Sequence, residues 1–275
     1  MKEPPEASAD ESDALHEPSQ RRVVRSFRGR RVVVHGDRDD PYFQRITHAV
    51  RRAQALENLL RQLPRKEGVA LDVGANLGIT SLAMARACEG PVYAVEPHRR
   101  TFAYLRQTLK ANSADRVTAM NLALSDRTGP VQLFADNNLS ASHLVHEKTL
   151  ARTPTESAWA TTIDALVADP QCPVAFIKID AEGAEPAILS GAEHTLHRDR
   201  PSVFVEYNAF TLMAVMNVNP RDFLERLLAT FPYVYRFQKR RAFIVRPGVE
   251  ALSFLHDVLT QKRACDDLLG TFDPL

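Results

Sequence analysis

Apolar positions along this chain alternate between short unbroken runs and longer stretches with a helical period. Val69–Val73, Val92–Val95, Val117–Leu122, Val174–Ile179 and Pro201–Tyr207 are short, apolar and bounded by glycine, proline or polar residues, so each reads as a buried strand. Between them, Ile79–Arg86, Arg99–Ala111 (with Phe102, Leu105 and Leu109 inward) and Pro186–His197 carry helical spacing. Pro220–Phe231 and Val249–Lys262 continue that pattern, and Tyr233–Gln238 with Ala242–Val245 predicts a terminal antiparallel pair around Lys239-Arg240-Arg241. Strands alternating with helices predict an α/β fold, a doubly wound and mostly parallel seven-stranded sheet with an antiparallel C-terminal strand.

The first 68 residues stand outside that alternation. Arg21–His35 alternates around Arg28-Gly29-Arg30 and predicts a hairpin whose six arginines form a solvated strand face. Phe43, Ile46, Val50, Ala53, Leu56, Leu60 and Leu63 predict one amphipathic helix over Pro41–Leu63, placed either over the site or against the sheet edge. Residues 1–20 are rich in proline, serine and acids, which predicts a disordered tail rather than a signal or transit peptide. The division expected is thus a tail (1–20), a hairpin and helix extension (21–68) and one α/β domain (69–275). Within that domain, Gly129-Pro130 turns the chain into a strand over Val131–Phe134. Asp136–Ala160 is polar and glycine-free and reads as a long loop, before Thr162 caps a short helix.

Composition narrows the choice of partners. A net charge of +1 gives no whole-molecule field for nucleic acid or acidic membrane. Cys88, Cys172 and Cys265 show no metal-type spacing and suit a reducing compartment, and no apolar run reaches membrane-span length, so the expected location is the cytoplasm.

The candidate chemistry begins at Leu71–Gly78 (LDVGANLG). A strand runs into a glycine turn, the turn opens onto a helix N-terminus, and the next strand delivers Glu96 at its carboxyl end. That is the skeleton of a nucleoside-binding βαβ unit, in which the acid hydrogen-bonds ribose hydroxyls. A dinucleotide turn would need glycines where Asn76 and Ile79 stand, and Asp72 adds an anion that repels phosphate and suits an ammonium group. A phosphate-free adenosine with an amino-acid tail fits, and S-adenosylmethionine is the expected cofactor. Asp72, Gly74, Asn76, Gly78 and Glu96 are its candidate binding residues. Ala123 is expected beside the adenine, and Asn121 either contacts the ligand or satisfies the turn.

The fourth strand ends in Lys178, Asp180, Glu182 and Glu185, three acids and one cation that need a compensating positive charge. A hydroxyl is a poor nucleophile until a base takes its proton. Asp180 is the first candidate for that base or for orienting the acceptor, Glu182 the second and His143 the third. Glu185 reads as an ordinary acid at a helix N-terminus. Lys178 and Glu206 are substrate-side candidates, each with a structural ion pair as the competing account. A magnesium site at Asp180 and Glu182 ranks below a metal-free mechanism, because no third ligand accompanies them.

Leu71–Gly78, Val95-Glu96-Pro97, Asn121–Ser125 (NLALS), Thr162–Leu166 (TIDAL), Lys178–Glu185 (KIDAEGAE) and Glu206 together resemble the FkbM family of S-adenosylmethionine-dependent methyltransferases. That is a class I, Rossmann-like group acting mostly on oxygen. The resemblance covers roughly Val69–Tyr207, and KIDAEGAE a hundred residues after DVGANLG is its specific signal. It implies cofactor contacts at the first three pieces, a substrate-side role for KIDAEG, and acceptors among sugars, polyketides and other secondary metabolites. The expected function is therefore O-methylation of a small-molecule hydroxyl, with no nucleic-acid or membrane partner and homo-oligomerisation left open. An N-methyltransferase of the same fold is the alternative, although the N-P-P-Y or D-P-P-Y of such enzymes is absent. A nucleoside-binding protein without chemistry is the other.

Overall fold

The computed structural model describes residues 20–25, 29–64, 66–134, 143–144, 156–169, 171–238, 241–261 and 264–275, with the backbone alone at 20–23, 25 and 143–144. The predicted N-terminal hairpin is β1 (Gln20–Arg25) against β2 (Arg31–Gly36). The single helix expected next is two, α1 (Pro41–Gln44) and α2 (Ile46–Leu60), with a break at Arg45 where ψ leaves the helical range. The glycine-turn unit follows as β3 (Val69–Val73), α3 (Ile79–Ala87), β4 (Val92–Val95), α4 (Arg99–Ala111) and β5 (Val117–Met120).

A second, smaller sheet comes next, from β6 (Ala123–Leu124), β7 (Gly129–Phe134), β8 (His143–Leu144) and β9 (Glu156–Thr161), in the order β6-β9-β7-β8. It corrects the reading of 136–160 as one loop. Glu156–Ala160 pairs antiparallel with Gly129–Leu133, and His143 lies opposite Phe134. The remaining loop positions lie outside the described residues. The segment Glu156–Thr161 (ESAWAT) has small, weakly alternating residues, and it is a strand because β7 supplies the partner backbone.

The chain then runs through α5 (Ile163–Leu166), β10 (Val174–Ile179), α6 (Glu185–Ser190) and α7 (Glu193–Asp199) to β11 (Ser202–Asn208). The helix expected over 186–197 is broken at Gly191, where a Cβ would lie 2.1 Å from the Ser125 carbonyl oxygen. It continues with α8 (Ala209–Ala214), α9 (Pro220–Thr230), β12 (Tyr233–Gln238), β13 (Arg241–Ile244), α10 (Val249–Thr260) and β14 (Cys265–Thr271).

The main sheet has eight strands in the order β13-β12-β14-β11-β10-β3-β4-β5. β5, β4, β3, β10 and β11 are mutually parallel, which confirms the doubly wound core. The antiparallel strand expected at the C-terminal edge is present as β13. A second antiparallel strand, β14, which no sequence pattern predicted, enters the interior between β11 and β12.

β3 is buried at every position because β10 and β4 flank it and helices cover both faces. The N-terminal extension shares a core with the glycine turn. Val32, Val34, Phe43, Ile46 and Val50 pack in one cluster with Ala75, Leu77 and Leu105. Polar contacts lock it further, since the Val33 N–H donates to Asn112 Oδ1 at 3.0 Å and the His35 N–H to Thr108 Oγ1 at 3.0 Å.

Candidate active site

Chain order reverses at β3, between β4 on one side and β10 on the other, and a cleft of about 220 Å³ opens there beyond the carboxyl ends of the strands. One end of it is built by the glycine turn. Gly74 has φ +73°, and a Cβ there would fall 1.8 Å from the Asp180 carbonyl oxygen, so only glycine lets this turn pass under the end of β10. Asn76 sits in the left-handed region at φ 49°, which asparagine tolerates, and Gly78 at φ 85° begins α3.

Glu96, just beyond β4, turns its carboxylate back onto this turn. Oε2 accepts the Asn76 backbone N–H at 3.0 Å and Oε1 that of His98 at 3.0 Å. The group is buried yet lines the cleft, and burial pushes its pKa up to about 7, against the pull of the His98 and Asn76 N–H groups. Each oxygen has spent one lone-pair direction on backbone and keeps another for a hydroxyl donor. Ala123, Leu124, Leu133 and Ile188 give the same end an apolar wall.

An ionic triad runs from buried Asp72 through buried Lys178 to Asp180, which opens onto the cleft. Lys178 Nζ is 3.2 Å from Asp72 Oδ1 and 3.6 Å from Asp180 Oδ2, and it donates to the carbonyls of Val73 at 3.3 Å and Gly74 at 3.0 Å. Burial alone would lower the lysine pKa, but Asp72 and Asp180 outweigh it and the group stays charged, its pKa raised. The other oxygen of Asp72 accepts from Thr80 Oγ1 at 2.7 Å and Ser81 Oγ at 2.6 Å. Asp72 is thus a hub joining β3, the first turn of α3 and β10. The ammonium group it meets belongs to Lys178, and it is absent from the cleft lining.

The opposite end of the cleft is acidic. Asp180, Glu182 and Glu206 line it with Tyr42 and Arg52 from the N-terminal extension. Glu182 is held at φ 53°, a left-handed conformation that strains a non-glycine residue. Burial, then Asp180 and Glu185, push its pKa up to about 8. Glu206 also rises to about 8 through burial, Asp180 and Glu182, with Arg52 pulling down. Arg52 Nη2 lies 3.4 Å from Glu206 Oε1 and 3.5 Å from Asp267 Oδ1. The Tyr42 phenol is held neutral by burial and by Asp180.

The structure therefore gathers Gly74, Asn76, Glu96, Ala123, Lys178, Asp180, Glu182 and Glu206 around one cleft. Gly78 stays behind it in the turn, against Leu105. Asn121 takes the turn role, donating Nδ2 to the carbonyls of Glu96 and Pro97 at 2.9 Å each. Glu185 caps the Ala181–Gly183 turn by accepting the N–H groups of Ala181 at 2.8 Å and Gly183 at 3.2 Å, in keeping with its reading as a structural acid. His143 is placed by its backbone in β8, and its side chain lies outside the described residues. Sequence reasoning missed Tyr42, Arg52 and Thr80. The one signal for the first two was an amphipathic helix ahead of the domain, which does not say which of its polar residues turns inward. Among the described residues no three or more His, Cys, Asp or Glu side chains are grouped to hold a metal ion, and no helix is long and apolar enough to cross a membrane.

A parallel doubly wound sheet with a glycine turn, an acid at the end of the adjoining strand and a cleft at the switch point defines a Rossmann-like domain. A family model described as the methyltransferase FkbM domain matches residues 72–241, more than half of the 275 residues, and the chain belongs to that family. The match runs past Tyr207 into the antiparallel end of the sheet. No curated protein sequence matches the chain.

Among solved structures, the methyltransferase FkbM of Methylobacillus flagellatus is 18% identical, with a TM-score of 0.47 over 76% of this chain and 45% of that one, so the chain spans less than half of that protein's length. A 16S rRNA methyltransferase of T. thermophilus, in complex with AdoMet and guanosine, is 14% identical with a TM-score of 0.48 over 94% and 52%. An O-methyltransferase from Bacillus cereus, in complex with SAH, is 17% identical with a TM-score of 0.43 over 79% and 78%.

Proposed function

We propose that this methyltransferase carries a methyl group from S-adenosylmethionine to a hydroxyl of a small molecule, of the sugar, glycoside or polyketide kind. The observation that carries the reading is Glu96. It is a buried carboxylate at the end of β4 that lines the cleft with one backbone N–H on each oxygen, beside a turn that brings backbone close without offering a phosphate cradle. That donor set suits a ribose diol, and the wall of Ala123, Leu124, Leu133 and Ile188 suits an adenine ring. Gly74, Ala75 and Asn76 would hold the rest of the nucleoside. Bound there, S-adenosylmethionine would supply an electrophilic methyl group on a sulfonium centre.

The remaining work falls to the chain. Methylating a hydroxyl releases its proton, so a base must face the acceptor, and a positioned base contributes roughly 10²–10⁴-fold. Asp180 stands at the tip of β10 with Lys178 on one side and open cleft on the other. It is assigned here as the group that orients the acceptor hydroxyl and takes its proton. Glu182, raised toward neutrality, is the next in line. His143 keeps its place as third candidate.

Two measurements test the reading. Titration calorimetry with S-adenosylmethionine is expected to give micromolar binding, and absence of heat would end the cofactor assignment. Incubation with methyl-labelled cofactor and a metabolite extract of the host is expected to label a hydroxyl. Label on nitrogen would move the protein to the N-methyltransferase class, and binding without any transfer would make it a nucleoside-binding protein.

A further inference from the structure

Arg52 lies outside the matched family domain, yet it lines the cleft. Across β11 and β14, Glu206 is the direct register partner of Asp267, an antiparallel pairing that sets two carboxylates opposite each other. Like charges in that position repel; a proton on one of them can relieve this, and so can a cation that bridges them. The guanidinium of Arg52 does so, at 3.4 Å from Glu206 and 3.5 Å from Asp267. The bridge rests on a firm base, because Ile46, Val50, Ala53 and Leu56 bury the inner face of α2 on the glycine-turn core and on its neighbour.

We propose that Arg52 is a positioning residue of the acceptor end of the cleft, bridging Glu206 to Asp267 and so fixing the acid face against which the acceptor hydroxyl is oriented. The proposal rests on the methyltransferase reading above for the identity of that end, and it adds a residue that the family domain does not contain. Other charged and titratable groups face Glu206 as well. Asp180 and Glu182 come from the end of β10, and Asp267 and the Cys265 thiol from β14. Removing Arg52 leaves Glu206 among acids alone. Its charged form then loses its main compensation and the carboxyl holds its proton to higher pH.

The test uses the full chain with ¹³C-carboxyl-labelled glutamate, the Glu206 signal being assigned by its loss in Glu206→Gln. NMR titration follows that signal in the wild type, Arg52→Ala and Arg52→Lys, and S-adenosylmethionine calorimetry is run on each. Arg52→Ala is expected to move the Glu206 midpoint upward by about one pH unit. Arg52→Lys should restore most of that shift, and cofactor affinity should stay within about threefold in both, since the cofactor end is built without Arg52. An unmoved Glu206 midpoint, or a shift that lysine does not rescue, overturns the proposal, as does a tenfold loss of cofactor affinity in Arg52→Ala. If the wild type itself binds no S-adenosylmethionine, the functional reading fails while the Glu206 titration still decides the role of Arg52.

Discussion

The two ends of the cleft are built on opposite principles. At the glycine-turn end, proposed to hold the nucleoside, Gly74, Asn76, Glu96 and His98 come from one stretch of chain, and the acid is satisfied by backbone N–H groups fixed in their turn. At the acidic end, Tyr42, Arg52, Asp180, Glu182, Glu206 and Asp267 converge from separate parts of the chain, ion pairs join Arg52 to Glu206 and Asp267 and Lys178 to Asp180, and several acids are shifted toward neutrality. The first arrangement leaves little to adjust without breaking the turn, whereas the second can be altered by exchanging one charge. An invariant donor and a varied acceptor would require that contrast.

Lys178 joins the two halves, so its loss should have the largest effect. Lys178→Met leaves Asp72 buried beside an apolar chain, and breaking such a buried pair costs about 3–5 kcal/mol. A fall in melting temperature together with weakened cofactor binding is the expected outcome, and an unchanged melting curve would remove the triad from the stability of the site. Asp180→Asn should act on the acceptor end alone. Turnover drops by ~100-fold or more while cofactor affinity stays within tenfold. Near-normal turnover would pass the base role to Glu182 or His143. Glu96→Ala should act on the nucleoside end alone, weakening S-adenosylmethionine binding by roughly 10- to 100-fold through loss of charge-assisted hydrogen bonds. Calorimetry showing wild-type affinity would take Glu96 out of the site.

The smallest effect concerns pH. Glu96 and Glu185 at about 7 and Glu182 and Glu206 at about 8 all stand above the ordinary glutamate value of 4.5. In the unfolded chain these groups ionise near 4.5, and in the folded chain only at about 7 to 8. Between those values the folded state therefore binds more protons, and stability falls as pH rises. Melting temperature should decline from about pH 5 to pH 8, and Glu206→Gln should shrink that decline. A melting temperature that rises over this window would contradict the burial of these acids.

The glycine turn and its acid were legible because their determinants are contiguous. Gly74 takes φ +73° inside the turn, a local demand for glycine, although the atom a side chain would strike is the distant Asp180 carbonyl oxygen, and Glu96 follows one strand later. The role of Asp72 was less legible, since its partner Lys178 arrives from a strand a hundred residues away. At the acidic end KIDAEGAE announced the acids, but nothing in the sequence said that Arg52 rather than its neighbour Arg51 reaches the cleft. Asp267 was invisible for a related reason. The run Cys265–Thr271 (CDDLLGT) opens with two acids and has too few apolar residues to read as an interior strand. It is one because β11 and β12 stand on either side with open edges. The same long-range pairing turned part of the supposed loop at 136–160 into β8 and β9.

The interior place of β14 also bears on synthesis. β11 and β12 leave the ribosome first, yet their facing edges have no mutual hydrogen bonds and must wait for residues 265–271 to emerge between them. A nascent chain halted before that point carries two unpaired strand edges, which makes it sticky. Closure of the sheet therefore waits on residues 265–271, and with them on the seating of Asp267 beside Glu206.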